Sequence, residues 1–91
     1  MYKIRTTNRF EKDFLKCTAR KFDIDALGLI IEILESKGKL PAKYKPHKLF
    51  GNYVGYWECH IKPDWLLIWH KNENNKTIEL VRTGTHSDLF K

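Results

Sequence analysis

The chain has 91 residues, enough for one domain (residues 1–91) with a single core, and 17 Lys and Arg outnumber 11 Asp and Glu to give a net charge of +6. A hydrophobic fraction of 42%, with three Trp, four Tyr and five Phe, excludes disorder throughout. No apolar run approaches the roughly 20 residues of a membrane span, the N-terminus lacks the apolar core of a signal peptide, and two isolated cysteines fit a reducing compartment, so we expect a cytoplasmic protein without a membrane partner.

The first half of the chain predicts a strand and two helices. The first five residues predict a short strand. Asn8 followed by Glu11 is a capping-box pattern, which predicts a helix from about Arg9 to Ala19. A second helix is predicted between an N-cap at Asp23 and a left-handed stop at Gly38. Its apolar stripe has spacings of three and four and consists of Ile24, Leu27, Ile31 and Leu34. This stripe favours packing on a sheet, with a partner-binding face as the alternative.

The second half predicts an antiparallel meander that follows a basic connector. The connector, residues 39–48, holds four lysines: Lys39, Lys43, Lys45 and Lys48. The predicted strands are Lys48–Phe50, Tyr53–Ile61, Trp65–His70 and Thr77–Arg82, with turns at Gly51–Asn52, Lys62–Asp64 and Asn72–Lys76. Because Trp65–His70 is almost wholly apolar, we expect it to be buried on both faces. From Thr83 onward the chain should leave the sheet, and Leu89–Phe90 should pack as its tail. The predicted fold is α+β in two layers: an N-terminal strand, two helices, then a three- to four-stranded antiparallel meander.

Strand parity predicts which side chains are available for chemistry. Trp57, Cys59 and Ile61 share one face and should contact the helices, so His60 should point to the open face. His60 and Asp64 then lie at one corner of the sheet, and the last loop can bring His86 to the same end. Imidazoles near a carboxylate suit phosphodiester cleavage by a neighbouring 2′-hydroxyl, because they can take and give protons near neutral pH.

The residues alone also allow interpretations in which these side chains have no catalytic role. An isolated exposed histidine is more often an ordinary surface residue, and Asp64 after Pro63 is a common turn residue. His70 fits a structural role, and Trp57, Trp65 and Trp69 fit a core better than a base-stacking platform. Four His and two Cys show no spacing of a closed zinc site, so neither a metal nor another cofactor is expected.

Three stretches carry a family resemblance: residues 44–51, residues 55–68 with Cys59-His60-Ile61-Lys62-Pro63-Asp64-Trp65, and residues 82–90 with Arg82-Thr83-Gly84-Thr85-His86. In this combination the chain resembles the YafQ branch of the RelE/ParE toxin superfamily over its whole length. The resemblance implies a RelE-like fold and a ribosome-dependent endoribonuclease that cuts mRNA in the A site. Its expected partners there are the mRNA and the rRNA. It also implies a cognate antitoxin protein, which we expect to be acidic.

The resemblance also implies roles for individual residues. Its catalytic group comprises His47, His60, Asp64 and His86. Arg82 is implied as a phosphate contact, and Trp65 and Phe90 as supports of the site or contacts to RNA, while Lys45 and Lys48 of the basic connector are expected to bind phosphate.

The chain departs from the family pattern at a few positions. Trp57 stands where relatives commonly carry Arg, and Trp69 where Tyr is usual. The hairpin through residues 72–76 is slightly longer than usual. The histidine and aspartate positions are intact.

Three other functions remain as alternatives. A non-nuclease toxin of the ParE kind would share the fold and charge without needing the histidines. A simple nucleic-acid-binding module would bind without strand scission. A structural interaction domain would make the charge and the outward His60 incidental.

Overall fold

The computed structural model describes residues 1–51 and 55–90. It contains β1 (Lys3–Thr6), α1 (Asn8–Ala19), α2 (Ile24–Lys37), a 3₁₀ turn (Ala42–Tyr44), β2 (His47–Lys48), β3 (Trp57–Lys62), β4 (Trp65–Asn72), β5 (Thr77–Gly84) and α3 (His86–Leu89). In the sheet, strands β2 to β5 are antiparallel neighbours, and β1 pairs in parallel with β5 at the opposite edge, so the order is β1-β5-β4-β3-β2. The predicted α+β fold is confirmed.

Local capping rules set the helix ends, with one correction. Asp23 accepts a hydrogen bond from the Ala26 amide and begins α2, and Gly38 ends it with φ of 72°, as predicted. The predicted N-cap of α1 at Asn8 is wrong, because Asn8 is the first helical residue and the hydroxyl of Thr7 accepts from the amide of Phe10. Thr7 is held in that position because its amide donates to Leu80 and its hydroxyl to Val81.

The second edge of the sheet differs from the prediction. The short strand is His47–Lys48 rather than Lys48–Phe50, since only His47 and Lys48 have strand partners on β3. Phe50 is 85% exposed, which leaves it no packing reason to continue the strand. The predicted turn at Gly51–Asn52 and the predicted start of the next strand at Tyr53 lie, in part or entirely, outside the described residues.

Strand β5 runs two residues further than the predicted end at Arg82. Thr83 and Gly84 stay in the sheet because they pair with Leu67 and Leu66 of β4. The prediction that the chain leaves the sheet at Thr83 is therefore wrong. It leaves at Thr85, which caps α3.

The sheet has an apolar cluster on each face. One face packs on α1 and α2 through Phe10, Leu27, Ile30, Leu34 and their partners on the strands. The other carries a smaller cluster of Leu66, Ile68 and Leu89, with Leu49, Tyr56 and Val81 against it. The burial of β4 on both faces is therefore confirmed, and within the described residues no helix is long and apolar enough to cross a membrane.

Candidate active site at the corner of strands β3 and β4

The centre of the site is a contact between Asp64 and His86. Asp64 lies in the turn between β3 and β4, and Oδ1 accepts both the backbone amide of His86 at 3.0 Å and its ring Nδ1 at 2.5 Å. These bonds lower the pKa of Asp64, the ring bond most, so that the carboxylate stays ionised. An ionised carboxylate only accepts, so Nδ1 carries the proton and Nε2 keeps its lone pair in the neutral ring. Both side chains are more than half exposed.

His60 lies beside His86 on the same rim. Their ring centroids are 5.9 Å apart and the rings are inclined by 54°. The Nδ1 atom of His60 lies 3.3 Å from the carbonyl oxygen of Pro63, which only accepts, so this nitrogen also carries a proton. Two imidazoles therefore have their Nδ1 atoms engaged by the corner loop and can present Nε2 to a third group.

His47 lies one strand away and is held from both sides. Its Nδ1 contacts the carbonyl oxygen of Lys45 at 3.0 Å, and its Nε2 contacts Glu58 Oε1 at 3.1 Å. Both ring nitrogens of His47 therefore have an oxygen partner, one of them in the carboxyl group of Glu58. Glu58 and His60 are two residues apart on β3, so His47 lies about 7 Å along the sheet from His60.

Asp88 fixes the segment that carries His86. It completes a capping box with Thr85 at the start of α3. It also accepts two hydrogen bonds from the guanidinium of Arg20, at 2.7 and 3.0 Å, and contacts Lys16 at 3.4 Å. Arg20 holds the pKa of Asp88 far below its usual range. Arg20, at the C-terminal end of α1, and Lys16 thereby position α3 and its first residue.

Arg82 forms an ion pair with Asp13, a carboxylate of α1. Its Nε and Nη2 donate to Asp13 at 2.7 and 3.2 Å, and Asp13 also accepts from the amide of Thr83 at 3.1 Å. Strand β1 pairs with β5 only up to Leu80 and does not reach Thr83. The carboxylate of Asp13 accepts the hydrogen bond of the Thr83 amide instead. A phosphate contact by Arg82 stays a prediction, and it would have to form beside this ion pair.

The remaining predicted residues separate into buried and exposed ones. Trp65 is 3% exposed, and its Nε1 donates to the Thr83 hydroxyl at 2.9 Å, which favours a supporting role. Phe90 is 46% exposed at the end of α3. Lys45 and Lys48 are exposed beside His47, and the ammonium of Lys48 lies over the ring of Trp57.

Sequence reasoning assigned no role in the site to three carboxylates that hold it together. Glu58 is 6% exposed although parity places it on the predicted open face, and His47 contacts its carboxyl group there. Asp13 and Asp88 act on partners 69 and 68 residues away. The sequence did contain one signal for Asp13: it is a charged residue between Phe10 and Cys17, which belong to the apolar stripe of the helix. Within the described residues, no three His, Cys, Asp or Glu side chains are grouped so as to hold a metal ion.

Comparisons with known proteins agree on one family. The sequence profile described as "Bacterial toxin of type II toxin-antitoxin system, YafQ" matches residues 2–91. The mRNA interferase toxin YafQ of Escherichia coli strain K12 is 35% identical over 88 residues, covering 96% of this chain and 94% of the relative. A crystal structure of YafQ from E. coli strain BL21(DE3) superposes with a TM-score of 0.92 at 33% identity over the full length of both chains. The toxin in an E. coli DinJ–YafQ complex gives a TM-score of 0.90 at 34% identity, again over both full lengths.

Proposed function

The chain belongs to the YafQ family of bacterial toxins of type II toxin–antitoxin systems, and we propose that it is an mRNA interferase that cuts mRNA in the ribosomal A site by metal-independent acid–base catalysis. The name of the E. coli relative supports the activity. The observation that carries the proposal is the pair of imidazoles, His60 and His86, 5.9 Å apart on an exposed rim beside Asp64. The net charge of +6 supports docking on the RNA of the ribosome, in the cytoplasm.

The reaction is a transfer of the phosphate to the neighbouring 2′-oxygen. One imidazole removes the proton of the 2′-hydroxyl while this oxygen forms a bond to phosphorus. The bond from phosphorus to the 5′-oxygen breaks, and the second imidazole protonates that oxygen. The products are a 2′,3′-cyclic phosphate and a 5′-hydroxyl. Each proton transfer is worth about 100- to 10,000-fold in rate.

We assign proton donation to His86 and proton removal to His60. The Asp64 carboxylate faces His86 and offsets the positive charge of its protonated ring, as the aspartate of a Ser-His-Asp triad does for its histidine. The partner of His60 is a neutral carbonyl group, which leaves its ring as the base. Both roles use Nε2, the nitrogen that neither corner contact occupies.

His47 and the two lysines beside it are placed to bind the reacting phosphate. The carbonyl oxygen of Lys45 and the carboxyl group of the buried Glu58 hold its ring in place at the edge of the site. A positive group near the phosphate stabilises the charge that builds up there in the transition state. Lys45 and Lys48 provide such positive groups on the same edge.

We propose that an acidic antitoxin inhibits the protein by covering this rim. The E. coli DinJ–YafQ complex shows that a YafQ protein assembles with a second protein. A basic rim with exposed imidazoles attracts a carboxylate-rich segment through the same charges that attract RNA. Full ribonuclease activity of the purified toxin–antitoxin complex would contradict this arrangement.

The site is tested by replacing single histidines. Wild type added to translating ribosomes should cut mRNA, and His60→Ala and His86→Ala should cut about 100- to 10,000-fold more slowly while keeping the wild-type circular dichroism spectrum. His70→Gln is the matched control, because His70 packs against Tyr56 away from the rim and should leave cutting unchanged. Undiminished cutting by both rim variants would refute the assignment.

The acid is identified by changing the leaving group. An mRNA with sulfur in place of the bridging 5′-oxygen at the cut site has a leaving group that needs no protonation. His86→Ala should recover most of its rate on this substrate, whereas His60→Ala should remain slow. Recovery in His60→Ala alone would reverse the two roles.

A further inference from the structure

A groove of about 560 Å³ adjoins His60 between α2 and the connector that precedes β2. Resting on the function proposed above, we propose that this groove binds the single-stranded RNA that continues from the cut phosphate. Its volume falls within the range of about 300 to 1,000 Å³ that ligand sites in proteins occupy. The residues that define it are Leu29, Lys43, Tyr44, Lys45, His60 and Lys62.

The charge of the groove suits a phosphate backbone. Lys43, Lys45 and Lys62 line it, and in the described part of the chain no carboxylate does. The ammonium of Lys62 lies 3.6 Å from Asp23, but both side chains are about half exposed, and such a pair contributes little. A phosphate group can therefore take the place of Asp23. Three cations along one groove give a path for several successive phosphates.

The groove also offers apolar surface to a base. Leu29 on α2 is 50% exposed although it is a large aliphatic residue. The ring of Tyr44 is partly buried and is covered on one side by the ammonium of Lys43 at 5.1 Å. Apolar and aromatic surface beside cations is how proteins bind single strands without reading their sequence.

One residue connects the groove to the site. Lys45 follows the 3₁₀ turn in a left-handed conformation with φ of 52°. Its side chain lines the groove, while its carbonyl oxygen holds Nδ1 of His47. His60 belongs to the groove and to the rim. This continuity favours RNA as the occupant over an acidic segment of an antitoxin, since a strand cut at His60 must pass along a surface adjoining it.

The test measures binding of a single-stranded 2′-O-methyl oligonucleotide, which cannot be cut, by fluorescence anisotropy at several salt concentrations. Each lost phosphate contact reduces the slope of log affinity against log salt by about 0.7 for a single strand. The variant Lys43→Gln/Lys45→Gln/Lys62→Gln should therefore lose about 2 from the slope. An unchanged slope would overturn the proposal.

A matched control removes the same charge elsewhere. Lys3, Lys12 and Lys37 are exposed on β1, α1 and the end of α2, outside the groove. Their replacement by Gln should change the slope by less than one phosphate contact, about 0.7. An equal loss in both triple variants would show that net charge alone acts, which would refute a groove.

Cleavage and antitoxin binding separate the remaining outcomes. If wild type binds the oligonucleotide with the expected slope but cuts no mRNA on ribosomes, the proposed activity fails and the groove stands. If the groove variant keeps wild-type RNA binding and cutting but loses affinity for the antitoxin, the groove is a protein-docking site and the RNA proposal is wrong.

Discussion

The ion pair between Asp13 and Arg82 gives the most quantitative prediction. Asp13 is 9% exposed, and it accepts three hydrogen bonds, two from Arg82 and one from the amide of Thr83. The Asp13→Asn substitution keeps an oxygen for Thr83 but removes the charge that Arg82 faces. Breaking a buried pair on one side costs about 3 to 5 kcal/mol.

The expected loss is large for a domain of this size. A 91-residue domain shifts its Tm by about 4 to 8 °C for each kcal/mol, so a loss of about 3 kcal/mol lowers the Tm by about 12 to 24 °C. Removing both charges in Asp13→Asn/Arg82→Met should restore much of the stability, because hydrophobic replacement of a buried pair is often neutral. Urea unfolding followed by circular dichroism, on both single variants and the double variant, gives the coupling energy.

The same set of variants separates two roles of Arg82. If the single losses add to within about 0.5 kcal/mol in the double variant, the pair does not act as a unit and the reasoning is refuted. If the double variant is stable and still cuts mRNA at the wild-type rate, Arg82 holds α1 to β5 and makes no catalytically important phosphate contact. A stable double variant that cuts more slowly by 10-fold or more would support that contact.

Three further predictions concern the carboxylates of the site. His86 lowers the pKa of Asp64. The contribution of this carboxylate to stability should therefore be complete above the ordinary pKa of 3.8 and be lost only as the pH falls through the lower pKa of the folded protein. Carboxyl NMR titration of the wild type and of His86→Ala will show the lowered pKa and its loss. Asp88→Asn should lower stability by about 1.5 to 3 kcal/mol through its ion pair with α1 and slow cutting by moving α3, and a wild-type rate would contradict this. Glu58→Gln should weaken the contact that holds the His47 ring at Nε2 and slow the cutting of mRNA, and a wild-type rate would show that this contact does not position His47.

Features that depend on near neighbours in the chain were predictable from the sequence. The cap at Asp23 is a hydrogen bond of its own side chain, and the stop at Gly38 is a left-handed backbone conformation that glycine adopts easily. Both follow from the type of residue at that position. The apolar run of β4 has no polar face, so it had to be covered on both sides. His60 and Asp64 share a corner because they are four positions apart in the chain and Asp64 lies in the turn that follows β3.

Features set by distant contacts were not predictable. The amide of Thr7 bonds to Leu80, which moves the cap of α1 one residue before Asn8. Glu58 lies on the outer face as parity requires, but that face also carries Leu89 of α3, about 30 residues later in the chain, and Glu58 is buried there. No local pattern reports such contacts. The placement of His86 beside Asp64 was inferred from the end of β5 and needed the three-dimensional structure to be shown.

The parallel pairing of β1 with β5 has a consequence for how the protein is made. Lys3 pairs with Thr77, so β1 can take its place in the sheet only after β5 has been synthesised. Such distant pairing closes slowly, because a long stretch of chain must be ordered before the contact forms. His86 follows β5 and completes the pair of imidazoles. The two imidazoles therefore come together only after β5 and the residues that follow it have been synthesised.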